Sequence, residues 1–296
     1  MPKVITLAAC VSGLMVFVGL LGSLNDVDTR VYQELDDRLR TNYGFSATCD
    51  EHFTLSSDCR TSEVPEVLVW GDSFAMQIVP GILASKSDGK IIQMTRSACG
   101  PVYGLAVFNH TNYAEDRAEP CREFNNQVMA WLEHMPSVKY AVLASPFNQY
   151  TSHDSKFLTK DGVVIGDPPV ALQYFLHTLD LLSAKGITPV IFAPPPQHGR
   201  DIGRCLVRST LFHADPAHCD FSLQDSAQQQ APVIRFLSDV SKTYHVVWLA
   251  EGICTGEVCN AAREGTFMYR DGLHLSYEGS AFLGAKMKFY DLITRP

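Results

Sequence analysis

The residues equipped for chemistry lie toward the two ends of the chain. Near the front, the apolar run Val67-Leu-Val-Trp70 passes directly into Gly71-Asp72-Ser73, and helical spacing begins at once. Ser73 is thus expected at the carboxyl end of a strand and the amino end of a helix. Backbone N–H groups at such a turn can stabilise an oxyanion, and Gly71 permits the tight bend. Alone, Gly-Asp-Ser is weak evidence and reads more readily as a helix cap. The segment Tyr269-Arg-Asp271-Gly-Leu-His274-Leu-Ser276 shifts that balance. A hydroxyl becomes a useful nucleophile when a base within hydrogen-bond reach takes its proton, and the base needs a carboxylate to orient it. An Asp three residues before a His supplies both from one turn. Each has a plain reading, as a turn aspartate and a surface histidine. Finding both motifs at the right places favours chemistry.

Those motifs need a scaffold, and the spacing of apolar residues predicts one. Strands are expected at Glu66 to Trp70, Lys90 to Thr95, Val138 to Ala144, Thr188 to Ala193 and Val246 to Ala250. Helices are expected at Phe74 to Lys86, Arg122 to His134, Val170 to Lys185, Ser226 to Thr243 and Tyr277 to Ile293. Between Cys99 and Cys121 the chain reads as a long loop rich in Asn, Gly and Tyr. Five apolar strands separated by helices predict an α/β fold with a parallel sheet covered on both faces. Ligands in such sheets sit beyond the carboxyl ends of the strands, where Ser73 is placed.

The chain has 296 residues, of which 46% are hydrophobic and 19% charged, enough apolar content for one sizeable core. Its net charge of −8 argues against a nucleic-acid binder, since phosphate recognition needs clustered Lys and Arg. Val4 to Leu24 carries no charge and is about the ~20 residues a helix needs to cross a bilayer. Lys3 precedes the run and Asp26 and Asp28 follow it, which leaves the bulk of the chain outside the cytoplasm. Residues 1–26 are read as an N-terminal transmembrane anchor, with a cleaved signal peptide as the rival. Residues 27–63 then form a juxtamembrane, cysteine-bearing linker, with a short helix expected at Val27 to Arg40, and residues 64–296 the catalytic domain.

Nine cysteines support the same compartment. Cys10 lies in the apolar run, leaving eight, an even count that suggests disulfides in an exported chain. Proximity pairs Cys49 with Cys59, Cys99 with Cys121, Cys205 with Cys219, and Cys254 with Cys259. Zinc is the rival, because Cys254-x4-Cys259 and the cluster His213, His218, Cys219 have tolerable ligand spacing. No matched second half of a Cys-x2-Cys pattern appears, and no metal is expected.

With Trp70-Gly-Asp-Ser73 and Asp271-x-x-His274-Leu-Ser276 in place, the sequence resembles the SGNH (GDSL-like) hydrolase superfamily. It is most similar to the branch found as a periplasmic domain fused to, or partnered with, family 3 integral-membrane acyltransferases. Ser97-Ala-Cys-Gly-Pro101 and the single apolar segment ahead of the domain look like that branch too. The resemblance spans roughly residues 64 to 293 and is tight only at its two ends. It implies a flavodoxin-like three-layer fold, with Ser73 as nucleophile, His274 as base and Asp271 orienting it. It also implies an oxyanion hole from the amides of Ser73 and Gly100. The superfamily's Asn after the third strand has no clear match, because Leu143-Ala-Ser-Pro-Phe-Asn148 lacks the usual Gly-x-Asn-Asp. Asn148 is the candidate. Phe74 stands where the branch commonly has His.

By this resemblance the chain is expected to be an O-acyltransferase, transferring acetyl to a cell-surface glycan. It would be held by one helix in the inner membrane, with its catalytic domain in the periplasm. A membrane acyltransferase would supply the acyl group, and no cofactor is required. The same triad would serve a carbohydrate esterase. A catalytically silent glycan-binding module is the reading from another class. Tyr103, Phe108, Tyr113, Phe147 and Tyr150 are candidates for a sugar-stacking rim, against a plain reading as packing.

Overall fold

The computed structural model describes residues 30–109 and 114–296. Its centre is five short runs too apolar to face water on either side. They form β1 (Val67–Gly71), β2 (Ile91–Thr95), β4 (Tyr140–Ala144), β7 (Thr188–Phe192) and β9 (His245–Val247), all parallel, in the order β2-β1-β4-β7-β9. Between them in sequence lie β3 (Leu105–Phe108), β5 (Lys156–Thr159), β6 (Gly162–Ile165) and β8 (Phe221–Ser222). Strand side chains alternate between faces, and the two cores follow that alternation. Leu68, Trp70, Ile92, Met94, Leu143 and Ile191 enter one core, while Val67, Val69, Ile91, Val142, Val190 and Phe192 enter the other. The result is three layers.

The described chain opens in a helix, α1, through residue 37. There follow α2 (Ser73–Met76), α3 (Val79–Ser85), α4 (Glu115–Leu132), α5 (Asn148–Thr151), α6 (Pro168–Ala184) and α7 (Ile202–Leu211). The remainder are α8 (Leu223–Gln229), α9 (Ala231–Val240), α10 (Ala250–Ile253), α11 (Tyr277–Met287) and α12 (Phe289–Thr294). Helices α4, α6 and α9 cover the first face, through Phe124, Phe175 and Phe236 among others. Helices α3, α7, α11 and α12 cover the second, through Ile82, Leu206, Leu283 and Phe289.

Three of the expected helices are each divided in two. The stretch after Ser73 breaks at Gln77 and Ile78, before Pro80 in the first turn of α3. Proline lacks the N–H that a continuous helix would use there. Pro232 opens α9 in the same way after α8. Lys288, in the left-handed conformation with φ 58°, separates α11 from α12. The last strand stops at Val247 because Leu249 and Ala250 already enter α10. The supposed long loop contains β3, which pairs antiparallel with β5, and β5 pairs with β6. This small sheet grows from the loops after β2 and β4. Helix α7 has no counterpart in the sequence reading.

Residues 42–61 lie against the sheet. Gln93 accepts from the Phe45 amide at 3.0 Å and donates to Tyr43 O at 2.9 Å, and Thr95 Oγ1 donates to Cys49 O at 2.8 Å. Disulfides join Cys49–Cys59, Cys99–Cys121, Cys205–Cys219 and Cys254–Cys259. Among the described residues no helix is long and apolar enough to cross a membrane. The anchor expected at residues 1–26 lies outside the described residues.

Candidate active site

The chain runs from β1 to the edge strand β2 and then crosses back to β4, so a crevice opens beyond the carboxyl ends of β1 and β4. Ser73 stands there, at the first position of α2. The bend is possible because residue 71 has no side chain. Gly71 has φ 151°, and a Cβ on it would run into the carbonyl of Ala144 on the adjoining strand. Asp72 caps α2 by accepting from the Phe74 amide at 2.9 Å, and also accepts from Ser145 Oγ at 2.6 Å. It thereby ties the serine turn to the end of β4. Asp72 is almost wholly buried, and that burial pushes its carboxyl up to about 7, against the opposing pull of the Ser145 and Phe74 hydrogen bonds.

Asp271 and His274 come from a tight loop before α11. Tyr269 bridges to Leu275, and the Arg270 amide donates to His274 O at 3.0 Å, closing a small hairpin. Inside it, Asp271 Oδ1 accepts from the amides of Leu273 and His274, both at 2.7 Å. An aspartate bonding the backbone two and three residues ahead is a local turn device. Here it also brings the carboxylate under its own histidine. His274 Nδ1 lies 2.9 Å from Asp271 Oδ2, and His274 Nε2 lies 2.9 Å from Ser73 Oγ. Burial raises the Asp271 carboxyl, but the hydrogen bond and charge of His274 and the two amides outweigh it and hold the group at about 2. An ionised carboxylate only accepts. His274 Nδ1 is therefore the donor to Asp271, and the neutral form of the ring, with that proton on Nδ1, has a lone pair on Nε2 with which to accept from Ser73. Phe74 packs its ring 4.7 Å from the imidazole, centre to centre. Ser73, His274 and Asp271 are all partly exposed.

Gly100 reaches the same end of the sheet on the loop after β2. The buried side chain of Asn125, held by Trp70 Nε1 at 2.8 Å, donates to Gly100 O at 3.0 Å and to Val102 O at 3.1 Å. A Cβ on Gly100 would press against Tyr150 Oη and Ser145 Oγ. The amides of Ser73 and Gly100 have no acceptor among the described residues. Asn148 begins α5 and is exposed, and no hydrogen bond joins its side chain to Ser73, Gly100 or His274 among the described residues. Its neighbour Gln149 is the one turned inward, donating to Ser145 Oγ at 2.8 Å. Ser145, Gln149 and Asn125 carry no motif that singles them out in sequence; only their burial does.

The aromatic rim does not form as a set. Phe108, Phe147 and Tyr150 are buried, Phe147 packed with Phe175 and Phe236 and Tyr150 stacked on Phe236, because β3 and α5 turn these rings into the core. Tyr103 packs partly against the same core, and Tyr113 lies outside the described residues. His213 and His218 are exposed and His198 is half-buried. Cys219, Cys254 and Cys259 are all taken up in disulfides.

A parallel three-layer fold with a serine turn after its first strand and an Asp-x-x-His loop before its last helices defines an SGNH-type enzyme, an acyltransferase or ester hydrolase. Residues 47–289 match the family described as the SGNH domain fused to AT3 domains, and the chain belongs to that family. The periplasmic domain of a lipopolysaccharide acetyltransferase from Salmonella ser. Paratyphi A shares the fold. Its identity is 16% over 88% of this chain and 95% of that one, with a TM-score of 0.61. A GDSL-like lipase from Bacteroides thetaiotaomicron is 13% identical over 75% and 85% of the two chains, with a TM-score of 0.39. The C-terminal catalytic domain of peptidoglycan O-acetyltransferase A from Streptococcus pneumoniae is 12% identical over 76% and 91%, with a TM-score of 0.34. No curated protein matches the chain.

Proposed function

We propose that the chain is an extracytoplasmic serine O-acyltransferase that moves an acyl group, acetyl by the family's branch, onto a cell-surface glycan. One observation carries this reading: Ser73 Oγ, His274 Nε2 and Asp271 Oδ2 form a relay with 2.9 Å at each link. Ser73 Oγ attacks the acyl carbonyl while His274 Nε2 takes its proton. The oxyanion rests between the amides of Ser73 and Gly100. His274 returns the proton to the departing donor group, leaving an acyl ester on Ser73. A sugar hydroxyl then attacks that ester, with His274 again as base, and the product leaves carrying the acyl group.

An AT3-type membrane acyltransferase is the partner this reading assigns as the acyl source, since the family's SGNH domains are fused to such domains. Four disulfides suit an oxidising compartment, and the reading places the domain in the periplasm behind an inner-membrane anchor at residues 1–26. Partial exposure of the triad favours a second reading, ester hydrolysis, in which water replaces the sugar hydroxyl.

The test is a fluorophosphonate probe on the full chain, with the adduct located by mass spectrometry. The expected result is an adduct on Ser73 that is lost in His274→Ala. Folded, disulfide-intact protein that takes no label would overturn both enzymatic readings. With labelling in hand, an acyl ester donor offered with and without a glycan acceptor separates transfer from hydrolysis.

A further inference from the structure

The serine turn and the histidine loop are almost two hundred residues apart, and a Ser–His hydrogen bond alone is a weak way to hold them. The structure contains a second link. Gln77 closes α2, one turn beyond Ser73, and is buried to 1% exposure. Its Oε1 accepts from the backbone amide of Leu275 at 2.7 Å, the residue directly after His274. Its own carbonyl accepts from Ser280 Oγ in α11, and Ser280 Oγ accepts from the Gly81 amide at 3.1 Å. One short helix therefore touches the base loop at three places: Ser73 at the imidazole nitrogen, Phe74 at the ring face, and Gln77 at the backbone behind it.

We infer that Gln77 is a positioning residue that sets the Ser73–His274 contact through the Leu275 amide. This rests on the triad reading above. The chemistry of the side chain is informative. Gln77 Nε2 is buried with no hydrogen-bond partner among the described residues, while Oε1 accepts from the Leu275 amide. Satisfying the Leu275 amide requires only an oxygen at this place, and a buried unpaired amide group is a cost that a packing residue would not carry. The position is thus kept for its acceptor and not for its donor.

The experiment measures kinact and KI for the fluorophosphonate on the full chain, comparing wild type with Gln77→Leu and Gln77→Glu and using Ser73→Ala as the blank. Ser73 Oγ forms the bond to phosphorus, fluoride leaves, and the serine proton goes to His274. The rate constant kinact therefore reads the Ser–His geometry, whereas KI reads probe binding. Because sub-ångström displacement of a base is costly, Gln77→Leu is expected to lose at least ~10-fold in kinact with KI unchanged, and Gln77→Glu to stay within about 3-fold of wild type. Near-UV circular dichroism checks folding. If the Leu variant does not fold, Gln77→Asn, too short to reach Leu275, replaces it with the same expected loss. A folded Leu or Asn variant with wild-type kinact overturns the inference, as does a Glu variant as slow as Leu. A wild-type chain that takes no label on Ser73 overturns the triad reading itself, and this inference with it.

Discussion

Asp72 and Asp271 flank the same serine and are driven in opposite directions by their surroundings. Asp271 is held at about 2, because His274 and two amides favour its charge. It remains ionised throughout any ordinary assay range and serves as a fixed acceptor. Asp72 is raised from 3.8 to about 7 by burial. A carboxyl whose folded value exceeds its unfolded value stabilises the fold most when protonated. Its contribution is complete below about 4 and is lost as pH rises toward about 7. Asp271 works the other way and costs stability only as pH falls from about 4 toward about 2. Asp72→Asn keeps an oxygen to cap the Phe74 amide and removes the titration. The expected outcome is a melting temperature that gains on wild type progressively between pH 4 and 7, by an amount reflecting a few kcal/mol. A difference that stays flat over that interval would show that Asp72 titrates near its ordinary value.

At the scale of elements, the site depends on how closely α3 and α11 approach. Each follows one half of the Ser73–His274 contact, α3 after Ser73 and α11 after His274. They meet at two glycines: a Cβ on Gly284 would fall on the backbone of Gly81, and a Cβ on Gly81 would meet the Phe289 ring at 2.7 Å. Backbone cannot retreat as a side chain can, so overpacking here costs about 1–3 kcal/mol. In an exposed helix, exchanging glycine for alanine is worth roughly 1 kcal/mol in the other direction. The sign therefore discriminates. Gly284→Ala is expected to lower the melting temperature and slow Ser73 labelling, as read by calorimetry and the probe. A rise in melting temperature would mean that the helices do not touch at this point.

For the molecule as a whole, the four disulfides close local loops around the sheet, and the amino-terminal segment ties the last helices to the rest. Arg38 donates to Glu278 Oε1 at 2.6 Å and lies over the Phe267 ring, while the Tyr43 amide donates to Tyr277 Oη at 3.1 Å. The segment entering the domain thus grips the start of α11, just past His274. Among the bridges, sequence separation runs from 22 for Cys99–Cys121 to 5 for Cys254–Cys259. If cross-links act by restricting the unfolded chain, removing the longer bridge costs about 1 kcal/mol more than removing the shorter. Paired Cys→Ser variants under denaturant titration check this order. Only the Cys99–Cys121 variant is also expected to slow Ser73 labelling, because that bridge flanks Gly100.

Much of this is legible in the sequence. The β1 run is apolar at every position, so it had to be a strand buried on both faces, and Gly71-Asp72-Ser73 followed at its end. Asp271 and His274 are joined by a turn made from their own backbone, a local arrangement that a spacing of three expresses directly. What sequence patterning does not contain is information about surfaces that meet from distant parts of the chain. Gln77, Asn125, Ser145 and Gln149 are ordinary polar residues in sequence. They acquire roles only because folding buries them, and a buried polar group must find partners, here far along the chain for Gln77, Asn125 and Ser145. The same reason hid β3, whose four residues pair with β5 across a wide gap in sequence, while β5 and β6 are short runs closed into a hairpin at Lys160 and Asp161. Likewise, the intended rim of aromatics became core, since the sheet and its helices decide which side of a loop faces water. Periodicity and local turns determined the strands and the two halves of the site; tertiary packing alone decided that the halves meet, and how firmly they are held.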